Sequence, residues 1–168
     1  MRTRGIVKLF SMQTPDDRRL EAQPLAVSNM RMADGKTHDV IFQASMGNTV
    51  YAFDAATGAQ LWKRTLGRPI AQSKAIDWHL TNDSWGILST PVIDEVAGIL
   101  YACAWVSDTG DWQTASHFLA ALHLADGTLV RPLLNLEGAV YSHPGFPTQT
   151  FKSAERKQRA ALTSCRSI

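Results

Sequence analysis

Two stretches of this chain, 69 positions apart, repeat one another, and that repeat narrows the available folds more than any other feature. Val50-Tyr-Ala-Phe-Asp-Ala-Ala-Thr-Gly-Ala-Gln-Leu-Trp62 has its counterpart in Leu119-Ala-Ala-Leu-His-Leu-Ala-Asp-Gly-Thr-Leu-Val-Arg131, with Ala52 aligned on Ala121. The segments upstream also match in kind: Val40-Ile-Phe precedes the first copy and Ile99-Leu-Tyr the second. A unit of this sort buries its apolar face only by stacking on a neighbour. Each unit reads as strand, turn, strand, turn, strand, with a further strand in front. Four strands per unit is the composition of one β-propeller blade.

Short apolar runs alternate with turn residues throughout, the pattern of an all-β chain. Strands are expected at about Leu25–Arg31, Val40–Ser45, Thr49–Phe53 and Gln60–Leu66, then at Ile87–Ile93, Ile99–Trp105, Phe118–His123 and Leu129–Leu136. An extra N-terminal strand is expected at Ile6–Met12. Turns carrying Gly punctuate the runs at Ala33-Asp34-Gly35-Lys36, Met46-Gly47-Asn48, Ala56-Thr57-Gly58 and Ala125-Asp126-Gly127. The stretch from Arg68 to Gly86 is too long for a tight hairpin, and Glu137–Pro147 reads as irregular connector. The one helical pattern is Ser153–Leu162, with Ser153 as its N-cap.

In the first copy each residue has a physical task. Ala52 is small enough for a neighbouring sheet to approach. Asp54 ends its strand, where the carboxylate can accept the backbone N–H groups of the turn. Thr57-Gly58 closes the hairpin, with Gly58 free to take the left-handed conformation. Trp62, on the returning strand, can bury a broad face against the next unit and still donate its indole N–H.

The pattern Ala52-x-Asp54-x-x-Thr57-Gly58-x-x-x-Trp62 resembles, at every fixed position, the tryptophan docking motif of the pyrroloquinoline-quinone (PQQ) repeat, or quinoprotein-like, β-propellers. The likeness extends to Lys8-Leu-Phe-Ser, Ala22-Gln-Pro-Leu25, Lys36-Thr-His38 and Gly86-Ile-Leu-Ser-Thr-Pro-Val-Ile-Asp94, which look like strands of bacterial members. The resemblance implies that Trp62 is a blade-docking residue touching an adjacent blade. The second copy keeps only Ala121 and Gly127 of the motif; His123, Asp126 and Arg131 stand where Asp, Thr and Trp are expected. Its hairpin can persist on Asp126-Gly127, but its docking contact is put in doubt. The implied fold is a partial β-propeller of about two four-stranded antiparallel blades, with the extra N-terminal strand and an irregular or helical C-terminal tail.

Composition excludes several classes of function. With 17 Lys+Arg against 15 Asp+Glu in 168 residues, the net charge is +2, without the dense basic face of a nucleic-acid binder. Five of the basic residues and one acid, Glu155, lie from Lys152 onward, so the body is mildly acidic and the tail basic. No run approaches the ~18 apolar residues of a transmembrane helix. The Met1-Arg-Thr-Arg start imitates a signal peptide, but Lys8 and Asp16-Asp17 interrupt the apolar stretch after it, so no cleavable signal is expected. Cys103 and Cys165 define neither a disulfide framework nor a metal site, and Cys103 sits in an apolar run. The five histidines have no zinc-ligand spacing. Asp108-Thr-Gly-Asp111 lacks the alternating oxygen ligands of a calcium loop. No nucleophile elbow and no phosphate loop is present. Trp78, Trp85, Trp105 and Trp112 are better explained by inter-blade packing than as a binding platform.

The expected organisation is a partial propeller over 1–151, with blade one at about 22–66 and blade two at about 87–136. A basic tail over 152–168 looks like a cut-short link into a next blade. Propellers use ~4–8 blades closed into a ring, so two blades imply missing neighbours, or self-association through the blade faces left exposed. The resemblance then implies a non-catalytic repeat segment: a binding or scaffold module, or a fragment of a larger propeller protein, periplasmic or secreted in the intact family, with no cofactor of its own. The alternative is a fragment of a PQQ-dependent alcohol or sugar dehydrogenase, which would need PQQ and Ca2+. No catalytic or metal residue is assigned.

Overall fold

Antiparallel ladders between successive strands build two sheets of four strands each, whose central strands are largely buried on both faces. The computed structural model describes residues 7–17 and 19–164; the Met1-Arg-Thr-Arg start, Ile6, Cys165 and Arg166 lie outside them. The first sheet contains β1 (Leu25–Arg31), β2 (Thr37–Ala44), β3 (Thr49–Asp54) and β4 (Gln60–Thr65), side by side in chain order. A small hairpin comes next, β5 (Ile70–Ala71) against β6 (Ser84–Trp85). The second sheet contains β7 (Val92–Asp94), β8 (Ile99–Val106), β9 (Ser116–His123) and β10 (Leu134–Asn135), again in chain order. A last hairpin pairs β11 (Val140–Tyr141) with β12 (Gln149–Thr150). The chain is all-β and forms a partial propeller: two antiparallel blades, with no closed barrel among the described residues.

The two-residue period of a strand sorts each blade into two faces. In blade one, Phe42 lies opposite Ala52 and Ala44 opposite Val50 on one face; Ile41 lies opposite Phe53 and Gln43 opposite Tyr51 on the other. In blade two, Leu100 faces Leu122 and Ala102 faces Ala120, while Tyr101, Cys103 and Trp105 pair with Ala121, Leu119 and His117 on the reverse side. The core forms where the Phe42–Ala52 face meets the Leu100–Leu122 face. Ala44, Ala52, Ala102, Ala104 and Ala120, each at most 1% exposed, let the two sheets come close. A second cluster at one end of the seam gathers Met46, Ile70, Trp85, Leu88, Trp105 and Ala115.

Four expectations change. Residues 7–14 form no strand; they run as an arm without a ladder. The strand expected from Ile87 begins only at Val92, because Ile87 and Ser89 are fully buried in the seam and Pro91 has no N–H for a ladder. The Leu129–Leu136 strand is interrupted: Leu129 makes one isolated bridge to Leu122, Arg131-Pro132 swings out, and pairing resumes at Leu134. The Ser153–Leu162 helix reduces to a 3-10 turn at Ser153–Glu155. There the Ser153 hydroxyl accepts the N–H of His117 at 2.9 Å, and the Ser153 N–H donates to Glu137 at 2.7 Å. The cap is thus engaged by tertiary partners and no helix forms after it. The described tail is mostly exposed, as its charge suggests, but it is tethered at three points: Lys157 lies 4.0 Å over the Trp85 ring, Arg159 pairs with Glu21 at 2.7 Å, and the Leu162 N–H reaches the Thr90 carbonyl.

Candidate functional site

The repeat residues converge on the seam between the blades. Asp54 closes the β3–β4 hairpin: one carboxylate oxygen accepts the N–H groups of Ala56 and Thr57 and the Thr57 hydroxyl, at 3.1, 2.7 and 2.7 Å. The other oxygen meets His38 Nδ1 at 2.6 Å. The Thr57 hydroxyl in turn accepts the Ala59 N–H at 3.2 Å, and Gly58 takes a φ of +76°. This hairpin geometry delays Trp62 by one bulged step, so that it returns directly opposite Ala52 on the seam face.

From there Trp62 crosses into blade two. Its Nε1–H donates to the Leu124 carbonyl at 2.9 Å, and its ring lies flat enough on the Asp126-Gly127 turn that a Cβ on Gly127 would stand 2.6 Å from the indole. Only glycine fits there, and Gly127 also has a φ of +69°. Phe42 packs on the other side of the indole, with ring centroids 5.7 Å apart and tilted by 47°. Arg64, two residues along β4, donates Nε–H to the Gly127 carbonyl at 2.8 Å. The Ala33 N–H reaches the Ala125 carbonyl at 3.2 Å, and at the far end of the seam the Asn48 side-chain amide donates to the Trp105 carbonyl at 2.8 Å. Blade one thus grips backbone groups of blade two along the whole seam.

Asp54, Thr57, Gly58, Trp62, Ala52 and Gly127 therefore act together. Ala121 does not join them: it occupies the matching position on the outward face of blade two, away from Trp62. Arg131, at the tryptophan position of the second copy, is exposed. The second hairpin is nonetheless closed, by Asp126, whose carboxylate accepts the Thr128 N–H and hydroxyl at 2.8 and 2.6 Å in place of the missing Asp at position 123. Leu124, Phe42 and Arg64 escape a motif reading. Arg64 shares a face with Trp62 by simple alternation, so it was open to inference; a carbonyl acceptor such as that of Leu124 has no residue signature.

The electrostatics of the first hairpin are those of a clamp. His38 lies between two carboxylates, with Asp54 at Nδ1 and Asp34 at Nε2, the latter at 3.0 Å. The hydrogen bond to Asp54, then that to Asp34, raises the His38 pKa above the ordinary imidazole value. His38 and then Thr57 hold Asp54 down to about 2. Asp34 is lowered first by the Lys36 backbone N–H and then by His38. Each carboxylate is thus favoured in its charged form and His38 in its protonated form, and all three are engaged at the hairpin turns, which suits a brace.

The remaining tryptophans do not form a platform. Trp85 and Trp105 are buried in the second cluster, Trp112 packs against its edge, and Trp78 alone is exposed, with Lys74 5.9 Å above it. His117 is buried too, stacked on Trp105 at 5.2 Å with Phe151 edge-on at 5.6 Å. Neither ring nitrogen has a partner, and burial pushes its pKa down to about 4 against the opposing pull of Glu137. Among the described residues no three His, Cys, Asp or Glu side chains converge on one point. Asp54 and Asp126 hold their own turns, and Asp111 caps the 3-10 helix at Trp112–Thr114. No helix among the described residues is long and apolar enough to cross a membrane. The chain matches no protein-family model and no curated protein.

Proposed function

We propose that this chain is a non-catalytic PQQ-like β-propeller repeat segment: a binding or scaffold module, or part of a larger extracytoplasmic propeller protein. The observation that carries the reading is the Trp62–Leu124 bond seated on Gly127, because it joins the motif tryptophan of one repeat to the motif glycine of the other. Blade two also keeps Ala121 at the position where blade one has Ala52, so the small residue of the motif recurs on the corresponding side of the second sheet. Its partners on this reading are neighbouring blades, in the same protein or in another copy.

The test separates this function from a dehydrogenase. Purified protein is mixed with PQQ and Ca2+, and both bound-quinone absorbance and dye-linked oxidation of alcohols and glucose are followed. The proposal predicts neither signal. Stoichiometric quinone binding with dye reduction would overturn it in favour of the oxidoreductase.

A further inference from the structure

The outward face of blade one, Ile41, Gln43, Tyr51 and Phe53, belongs to the side on which a preceding blade would pack. Yet Tyr51 and Phe53 are only 1% and 2% exposed. The N-terminal arm lies over them. Asp16 accepts the Ser45 hydroxyl at 2.5 Å and the Tyr51 hydroxyl, Asp17 accepts the Ser84 hydroxyl, and Gln43 donates to the Ala22 carbonyl at 2.9 Å. At the other end of the face Phe10 sits on Gly58, so close that a Cβ there would meet its ring at 2.5 Å. The arm spans the blade from the β3–β4 hairpin to the β2–β3 turn.

The repeat gives this contact its meaning. Gly58 and Gly127 are equivalent positions, 69 residues apart, both with positive φ. Trp62 of blade one rests on Gly127, and Phe10 of the arm rests on Gly58 with the same closeness. Phe10 occupies at blade one the seat that the docking tryptophan occupies at blade two. We infer that the N-terminal arm is a built-in cap which stands in for a neighbouring blade: Phe10 acts as a docking aromatic in cis, Asp16 fastens the far end, and together they close this face to a second copy of the chain. The inference rests on the blade reading proposed above. The second copy is the competitor because a freed blade-one face would offer Ile41, Tyr51 and Phe53 to the same face of another copy, whereas the corresponding side of blade two is already covered, with Cys103 and Ala121 only 3% and 8% exposed. Pairing of the two faces would bury the stacked Tyr51–Phe53 pair, whose rings lie 5.7 Å apart.

Three full-length proteins test it: wild type, Phe10→Ala and Phe10→Trp. Each is measured by trypsin cleavage after Arg19, read by mass spectrometry, and by light scattering over a range of concentrations. Release of the arm in Phe10→Ala speeds that cleavage by roughly tenfold and raises the mass with concentration, while Phe10→Trp keeps the wild-type rate and the monomer mass. Adding Ile41→Glu to Phe10→Ala returns the monomer but leaves cleavage fast. The inference is overturned if Phe10→Ala leaves cleavage unchanged, if the freed arm leaves the protein monomeric, or if Phe10→Trp behaves as Phe10→Ala does. Hydrogen exchange of the Trp62 indole in the same samples keeps the two readings apart. A protected indole alongside an unresponsive arm sinks the cap alone, whereas a freely exchanging indole in the wild type sinks the blade reading beneath it.

Discussion

Replacing Trp62 by Phe removes one donor and one ring from the seam while keeping an aromatic in place. The Leu124 carbonyl, in a residue 2% exposed, would then lose its indole partner. Leaving a buried acceptor unmatched costs about 1–3 kcal/mol, and the space left by the smaller ring against Phe42 and Gly127 adds about 1 kcal/mol. The expected loss is about 2–4 kcal/mol, which in a protein of this size lowers the melting temperature by roughly 5–15 °C. Urea unfolding followed by circular dichroism gives the same quantity without depending on tryptophan emission. Gly127→Ala attacks the contact from the other side, since its Cβ would stand 2.6 Å from the indole. The two changes must therefore couple: in the double variant the smaller ring relieves part of the clash, and the energies fall short of additivity by about 0.5–3 kcal/mol. A loss below about 0.5 kcal/mol for Trp62→Phe, with strict additivity, would refute the claim that this contact joins the blades.

Three further outcomes are expected from the side-chain environments. His38 has a raised pKa in the folded state, so the stability it contributes is complete below the ordinary imidazole value near 6.5 and is lost as pH rises through the raised value; urea midpoints of wild type and His38→Leu should converge as pH rises from 6 to 9. His117 has the opposite sign: its folded pKa is down at about 4, so stability is complete above about 6.5 and falls as pH drops toward 4, by up to roughly 3 kcal/mol, and His117→Phe should remove that part of the acid dependence. Cys103 is 3% exposed and its thiol is pushed up by burial to about 11, so peptide mapping after treatment of native protein with a thiol reagent at pH 8 should find it unlabelled, and labelled only in denaturant.

Much of this architecture was legible in local pattern. Gly58 and Gly127 mark hairpins that form where expected, β1 runs from Leu25 to Arg31 as the alternation predicts, and the seam role of Trp62 accords with its place opposite Ala52. The features that the pattern concealed are decided by tertiary competition. The apolar residues of 7–14 satisfy a strand template, but their partner is a blade face and not a strand edge, so Phe10 packs without a ladder. Ser153 satisfies an N-cap template, but β9 and Glu137 draw its hydroxyl and N–H away. Pro91 and Pro132 were readable breakers, and each shortens the strand predicted across it. The seam acceptors at Leu124, Ala125 and Gly127 are backbone carbonyls, set by register between blades, which no single-sequence pattern encodes.

The seam can be tested directly in solution by nuclear magnetic resonance on isotope-labelled protein. The account predicts strong Overhauser contacts between the Trp62 ring protons and the Gly127 Hα atoms, together with an indole N–H protected from exchange because it is bonded to the Leu124 carbonyl. An indole N–H that exchanges at the rate of free tryptophan, with no contact to Gly127, would contradict the pairing of the two blades on which the whole account depends.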